Sequence, residues 1–282
     1  MKWPDDADGW PMREYSHHVL CRPHRWHIQR AGQGKRLLLV HGAGGASQSW
    51  RNLFPLLTSQ CEVIAVDLPG QGFTRSGAHS RHGLDSMSED LLSLMRTLDF
   101  QPEAIIGHSA GAAIAMRMTE LEGSGNAVFG INAALSNFEG VAGWLFPFLA
   151  KALALTPFAA SVFAATTTRA SVRQLLTGTG SQIDSAGEDL YYRLAKNADH
   201  VDGTLSMMAQ WSLDDFLLRL NRFSNATHLL VGANDKAVPP KVSERVCQAL
   251  PNASLTVLDG KGHLVHEEDA KRVAQWIFDR LK

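Results

Sequence analysis

Residues 104–111 read Ala104-Ile105-Ile106-Gly107-His108-Ser109-Ala110-Gly111, and this stretch decides the fold. An apolar run reads as a buried strand, and Ala112 to Leu121 reads as a helix. Between them stands G-x-S-x-G, a serine on a tight strand-to-helix turn. Such a turn strains the serine backbone and pushes its hydroxyl out above the sheet. Glycines two before and two after remove side chains that would collide there. The turn also puts the Ala110 amide at a helix N-terminus, where it can donate to a developing oxyanion. A chance Gly/Ser loop would lack the flanking strand and helix.

Three further segments complete a set. His41-Gly42-Ala43-Gly44-Gly45 follows the run Leu37-Leu38-Leu39-Val40, and its Ala43 amide is the expected second oxyanion donor. The strand His228 to Gly232 ends in Ala233-Asn234-Asp235-Lys236, and the strand Leu255 to Leu258 leads through Gly260-Lys261-Gly262 to His263. The chain order Ser109, Asp235, His263 resembles that of α/β-hydrolases and differs from the orders on other serine-protease folds. The chemistry needs these types. A serine hydroxyl is a weak nucleophile without an adjacent base, His263 can take and return its proton, and Asp235 can hold the imidazole tautomer. His266 and Asp259 are the rivals for base and acid. Asp259 precedes the histidine loop and reads as a strand-end turn, while His266 reads as the start of the last helix with Glu267 and Glu268.

Composition limits the alternatives. A chain of 282 residues with 45% hydrophobic content can fill the core of one large domain with an insertion. A net charge of −1 gives no electrostatic case for nucleic acid. Cys21, Cys61 and Cys247 are far apart and odd in number, without metal spacing or a disulfide framework, which fits a reducing, cytoplasmic compartment. Met1-Lys2-Trp3-Pro4-Asp5-Asp6 lacks the apolar core of a signal peptide. No phosphate loop is present, and no cofactor or metal is expected.

Along the chain, residues 17–30 alternate as a hairpin. Strands read at 36–40, 62–66, 103–108 and 127–132, with helices near 48–58, 84–99 and 110–122. After Asn132 the rhythm stops, and 135–212 reads as helical and irregular. It resumes with a helix at 213–221, strand 227–232, helix 240–250, strand 254–258 and a last helix at 267–281. The expectation is an α/β class fold with a mostly parallel, doubly wound sheet. Core segments 1–134 and 213–282 would flank a helical cap, 135–212, over Ser109.

The insertion speaks to substrate. Val141 to Ala150 is strongly apolar and includes Trp144; Lys151 and Pro157 interrupt the apolar stretch beyond it. That is too broken for a transmembrane helix. Three readings stand: a cap core facing an apolar ligand, a face touching the membrane surface, or plain helix packing. His200, Met207 and Trp211, with His41 and His108, are candidates to line a pocket, although such stripes are more often ordinary core.

The fold and triad order resemble the α/β-hydrolase superfamily over essentially the whole chain. Beyond the triad motifs, Ser49-Trp50-Arg51, Thr177-Gly178-Thr179-Gly180-Ser181-Gln182-Ile183-Asp184, Met207-Met208-Ala209-Gln210-Trp211 and Gly262 to Glu268 look like the BchO family of bacteriochlorophyll biosynthesis, magnesium-chelatase accessory proteins. Ala43 stands where many of its members carry Thr, which leaves a backbone amide unchanged. The resemblance implies a role around magnesium insertion into protoporphyrin IX, with a tetrapyrrole as the small apolar ligand and magnesium-chelatase subunits as partners. A serine triad performs acyl transfer rather than ATP-driven chelation. The expectations are therefore an ester hydrolase acting on a tetrapyrrole, a porphyrin-binding accessory protein without catalysis, or a general esterase or C–C bond hydrolase. A dehalogenase would need a carboxylate where Ser109 stands.

Overall fold

The computed structural model describes residues 1–136, 156 and 158–281. Eight strands form one sheet: β1 (Ser16–Cys21), β2 (His24–Ala31), β3 (Lys35–Val40), β4 (Cys61–Val66), β5 (Ala104–His108), β6 (Ala127–Ile131), β7 (Thr227–Gly232) and β8 (Ala253–Leu258). Their order is β1-β2-β4-β3-β5-β6-β7-β8. The hairpin β1–β2 joins β4 antiparallel, and every other pairing is parallel.

The described α-helices are α1 (Phe54–Leu57), α2 (Leu84–Thr97), α3 (Ala110–Glu122), α4 (Ala159–Thr166), α5 (Arg169–Gly178), α6 (Ser185–Ala195), α7 (Ala198–Gln210), α8 (Asp214–Leu218), α9 (Pro240–Ala249), α10 (Val265–Glu268) and α11 (Ala270–Phe278). Parallel strands buried on both faces explain the unbroken apolar runs seen in the sequence. In β3, Leu38 and Val40 face a core shared with α2 and α3, while Leu37 and Leu39 face one shared with α1 and α11. β4 and β5 alternate likewise, Ile64 and Ile105 to the first face, Val63 and Ile106 to the second. The α2 stripe Leu84, Met87, Leu91, Leu94 and Met95 recurs at helical spacing and is buried against that first face.

The order in which successive strands are laid across the sheet reverses between β3 and β5, since β4 lies on one side of β3 and β5 on the other. The carboxyl ends of strands at such a switch point form a natural crevice. Helices α4 to α7 all fall between β6 and β7, and their contacts reach loops at that same carboxyl edge.

The expected helix at 48–58 is broken into a 3₁₀ turn, Ser47–Trp50, and the short α1, with Pro55 in its first turn. The expected last helix divides at Asp269, which accepts from the Arg272 amide and so caps a new start at α11. The N-terminal segment, read from sequence only as polar, is packed. Trp10 and Phe73 meet edge to face at 5.0 Å, and both join Leu190 and Leu194 of α6 in a small cluster. No described helix is long and apolar enough to cross a membrane.

Candidate active site

Ser109 sits at φ 52°, ψ −119°, a left-handed conformation that a non-glycine residue enters only under constraint. Its amide donates to Ile131 O at 2.9 Å, and its carbonyl accepts from the amides of Ala112 and Ala134, both at 3.1 Å. The flanking glycines are steric necessities. A Cβ on Gly107 would lie 2.2 Å from Gly111 O, and one on Gly111 would lie 2.1 Å from Val40 O. Ser109 stays partly exposed while its neighbours are buried.

Asp235 follows β7 and His263 follows β8. His263 Nδ1 donates to Asp235 Oδ2 at 2.8 Å, which fixes the tautomer with Nε2 unprotonated in the neutral ring. Asp235 Oδ1 accepts from the Ala237 and Val238 amides, both at 2.8 Å, and Oδ2 also accepts from Asn132 Nδ2 at 2.5 Å. Four donors thus fill the buried carboxylate. Asn132 was not singled out in the sequence. Its signal is a lone polar residue ending β6, the strand beside that of the acid.

The oxyanion expectations fall on two amides. Ala110 opens α3, so its N–H is among those that no helical carbonyl takes. Ala43 is exposed on the turn after β3, with no acceptor for its amide among the described residues. That turn is held on several sides. His41 Nδ1 donates to Gly42 O at 2.7 Å, and its Nε2 accepts from the Leu68 amide at 2.9 Å. His200 Nε2 donates to Gly44 O at 3.2 Å while its Nδ1 accepts from the Gly72 amide at 3.0 Å. Gln71 Oε1 accepts from the Gly44 amide at 2.9 Å, and its Nε2 meets Met207 Sδ at 3.3 Å.

Several residues expected to line a pocket therefore have other work. Both ring nitrogens of His41 and of His200 are consumed by the main chain, so these histidines brace the turn instead of presenting polar atoms to a ligand. Burial keeps both neutral, His41 lowered and His200 lowered to about 3. His108 Nε2 donates to His263 O at 2.9 Å, and its ring lies between those of His263 (4.8 Å) and His266 (4.3 Å). Burial and these two rings hold His108 well below the usual histidine range. Met207 is buried, and Trp211 is half-buried against the α2–α3 core. Trp144 and the apolar stretch 141–150 lie outside the described residues. A cavity of about 400 Å³ beside α7 is lined by polar groups including Arg75, His79, Asp199 and Asp202, and none of Ser109, Asp235 or His263 reaches it.

The rival base, His266, is fully buried. Its Nε2 lies 2.7 Å from Ser49 Oγ, which in turn donates to Glu267 Oε1 at 3.2 Å. Tyr191 of α6 donates to the same oxygen at 2.8 Å. Arg51 Nε approaches Glu267 Oε2 at 3.4 Å and its Nη2 pairs with Asp184 at 2.8 Å. The geometry engages His266 in this network. Burial lowers it to about 3, and burial raises Glu267 to about 7 against the opposing pull of Arg51. The rival acid, Asp259, is exposed beyond β8.

Comparison with known proteins agrees with this architecture. Residues 35–270 match the family model described as the alpha/beta hydrolase fold. The chain is 43% identical, over 97% of each chain, to the magnesium-chelatase 30 kDa subunit of Rhodobacter capsulatus. It is 25% identical to a 2-hydroxy-6-oxononadienedioate/2-hydroxy-6-oxononatrienedioate hydrolase of Pseudomonas putida, over 90% of this chain and 91% of that one. Among solved structures, the epoxide hydrolase CorEH superposes with a TM-score of 0.78 at 19% identity, over 95% of this chain and 99% of that one. A serine hydrolase involved in carbazole degradation gives 0.75 at 20%, over 94% and 98%. These two likenesses show the fold alone. With a family model spanning most of its length and a full-length relative at 43% identity, the chain belongs to the α/β-hydrolase fold family, in the branch that includes the magnesium-chelatase 30 kDa subunit.

Proposed function

We propose that this protein is a serine acyl hydrolase that acts on an ester of a tetrapyrrole, or of a related apolar metabolite, around the magnesium-insertion step of bacteriochlorophyll biosynthesis. The observation that carries the chemistry is the His263–Asp235 pair at 2.8 Å, its carboxylate filled by Asn132 and two amides, on the loops after β7 and β8, with Ser109 held at positive φ after β5 of the same sheet. The pathway is supported by the 43% identity to a protein named as a magnesium-chelatase subunit.

In this reading Ser109 Oγ attacks the ester carbonyl while His263 Nε2 takes its proton. Asp235 holds the imidazole and stabilises its charged form. The Ala43 and Ala110 amides receive the oxyanion, and the braces from His41, His200 and Gln71 keep the first of them aimed beforehand. His263 returns the proton to the leaving alcohol. Water, activated by the same nitrogen, then releases the acid from the acyl-enzyme. The helices between β6 and β7 act as the cap and select the substrate.

A fluorophosphonate probe tests the chemistry. The wild type should be labelled, and Ser109→Ala should abolish labelling. Titration with protoporphyrin IX and its magnesium form, followed by Soret absorbance and tryptophan fluorescence, tests the ligand class in both proteins. Porphyrin binding by an unlabelled wild type would replace catalysis with a carrier role. Labelling with no response to any tetrapyrrole would point to a general esterase.

A further inference from the structure

The segment Thr177-Gly178-Thr179-Gly180-Ser181 contributes no group to acyl transfer, yet it reaches both loops that carry the base and the acid. It links α5 to α6 within the insertion. On one side, the Lys236 amide donates to Thr179 O at 3.0 Å. Gly180, at φ +85°, presses so close to Asn234 that a Cβ there would lie 1.9 Å from its carbonyl oxygen. Asn234 and Lys236 are the two neighbours of Asp235. On the other side, a Cβ on Gly262 would lie 2.3 Å from Gly180 O, and the Leu264 amide donates to Ser181 Oγ at 2.9 Å. Gly262 and Leu264 are the two neighbours of His263. One turn thus touches the residues before and after both members of the pair.

Ser181 is the polar centre of this contact. It is 1% exposed, so its hydroxyl has no water to fall back on. Its oxygen accepts from the Leu264 amide and lies 3.0 Å from Thr179 Oγ1, while the Glu268 carboxyl accepts from the Gly262 amide at 2.9 Å. The base loop is therefore held on both sides of His263, Gly262 by Glu268 and Leu264 by Ser181. The acid loop has a direct tie of its own, Asn234 N–H to Lys261 O at 2.8 Å. That tie fixes the loops before His263; after it, His108 Nε2 holds the His263 carbonyl and Ser181 holds the Leu264 amide, the one of these ties that comes from the insertion.

We propose that Ser181 is a positioning residue for the His263 base, so that the insertion, and not the core alone, sets the Asp235–His263 geometry. This rests on the acyl-hydrolase reading for its consequence and on the Leu264–Ser181 hydrogen bond and the Gly180 contacts for its structure. Removing the hydroxyl leaves the Leu264 amide buried without an acceptor, and that amide recovers one only if the loop shifts. A displacement of about 1 Å at a catalytic base costs on the order of 10²-fold in rate.

The test uses the full chain with two graded variants. Ser181→Ala removes the acceptor. Ser181→Cys keeps the volume with a weaker one and guards against a folding failure of the first. Two readouts are taken: the rate and pH profile of fluorophosphonate labelling, and the far-downfield proton NMR signal of His263 Nδ1–H, assigned by its loss in His263→Ala. The expected result is labelling slowed about 10- to 100-fold in Ser181→Ala and less in Ser181→Cys, with the downfield proton broadened in the same order. A Ser181→Ala protein that is merely less stable, with wild-type labelling and an unchanged downfield proton, overturns the proposal. A wild type that shows the downfield proton but never reacts with the probe sinks the acyl-hydrolase reading instead, and the proton in Ser181→Ala still decides the positioning claim.

Discussion

Glu267 offers a measurement whose sign can be worked out beforehand. It is 6% exposed, and its two oxygens face different partners. Oε1 accepts from Tyr191 and Ser49, while Oε2 faces Arg51 at 3.4 Å without a hydrogen bond. Burial outweighs these contacts and raises the carboxyl from 4.5 to about 7. A raised acid means that the folded chain holds a proton which the unfolded chain has released. Stability from this group is therefore complete below 4.5, falls as pH rises, and is lost above about 7. At about 1.4 kcal/mol per pH unit, that interval amounts to roughly 3–4 kcal/mol as an upper bound, most of it between pH 5 and pH 8.

Glu267→Gln removes the ionisation and keeps the shape. Its amide can turn its nitrogen toward the Tyr191 and Ser49 oxygens and its carbonyl toward Arg51. Urea midpoints by tryptophan fluorescence, for wild type and variant at pH 5 and pH 8, give the difference of differences. The variant should be near wild type at pH 5 and gain up to about 3 kcal/mol on it by pH 8. Differencing is essential because buried histidines tilt the wild-type curve the other way, and they are common to both proteins. Parallel curves across the range, or a variant that falls further behind at pH 8, would refute a buried carboxyl that resists ionisation.

The remaining predictions share that logic of burial. His200 and His266 are lowered from 6.5 to about 3, and His18 and His82 to about 4, all chiefly by burial. The unfolded chain then takes up protons that the folded one refuses, so stability should be full above 6.5 and drop as pH falls toward 4, read by near-ultraviolet circular dichroism; a signal flat down to pH 4 would contradict it. Gly203 lies against the Gly70 turn, where a Cβ would sit 2.2 Å from Gly70 O, so Gly203→Ala should cost about 1–3 kcal/mol in urea unfolding through forced separation of α7 from the core, and an unmoved midpoint would show that the contact yields freely. Asp235→Asn should cut ester turnover by ~10³ to 10⁴ by admitting the wrong His263 tautomer, and a loss below tenfold would remove Asp235 from the proposed role.

The sequence made the sheet legible because the central parallel strands are buried on both faces and so appear as unbroken apolar runs, as in Leu37 to Val40, while the edge strand β8 keeps Ser254 and Thr256 among its apolar residues. It made Ser109, Asp235 and His263 legible because each lies within a few residues of a strand's carboxyl end. Residues 48–58 were harder: Leu53, Phe54 and Leu57 suit a buried helix, yet Pro55 and the tie from Ser49 to His266 break it. The braces of the oxyanion turn were legible only as residue types. His41 and His200 invite a ligand-facing reading, since nothing local says that their nitrogens will meet the Leu68 and Gly72 amides. Asn132 and Gln71 were missed for the same reason, because their partners lie across the sheet edge at 103 and 27 residues' separation.

The segments that carry the family resemblance are not scattered once the chain is folded. Arg51 of the first pairs with Asp184 of the second. Ser181 of the second accepts from Leu264 of the fourth, and Glu267 of the fourth meets Ser49 of the first. Met207 of the third touches Gln71, which holds the oxyanion turn. Acyl transfer by itself asks for none of these contacts; a triad and two amides suffice. Together they fix how the insertion sits on the loops after β3, β4, β7 and β8. Under the proposed function, a cap that must settle in one register over a large flat ligand would need that interface specified as closely as the triad. In such a protein the residues that distinguish it from other hydrolases belong at the seam between cap and core, and there these segments meet.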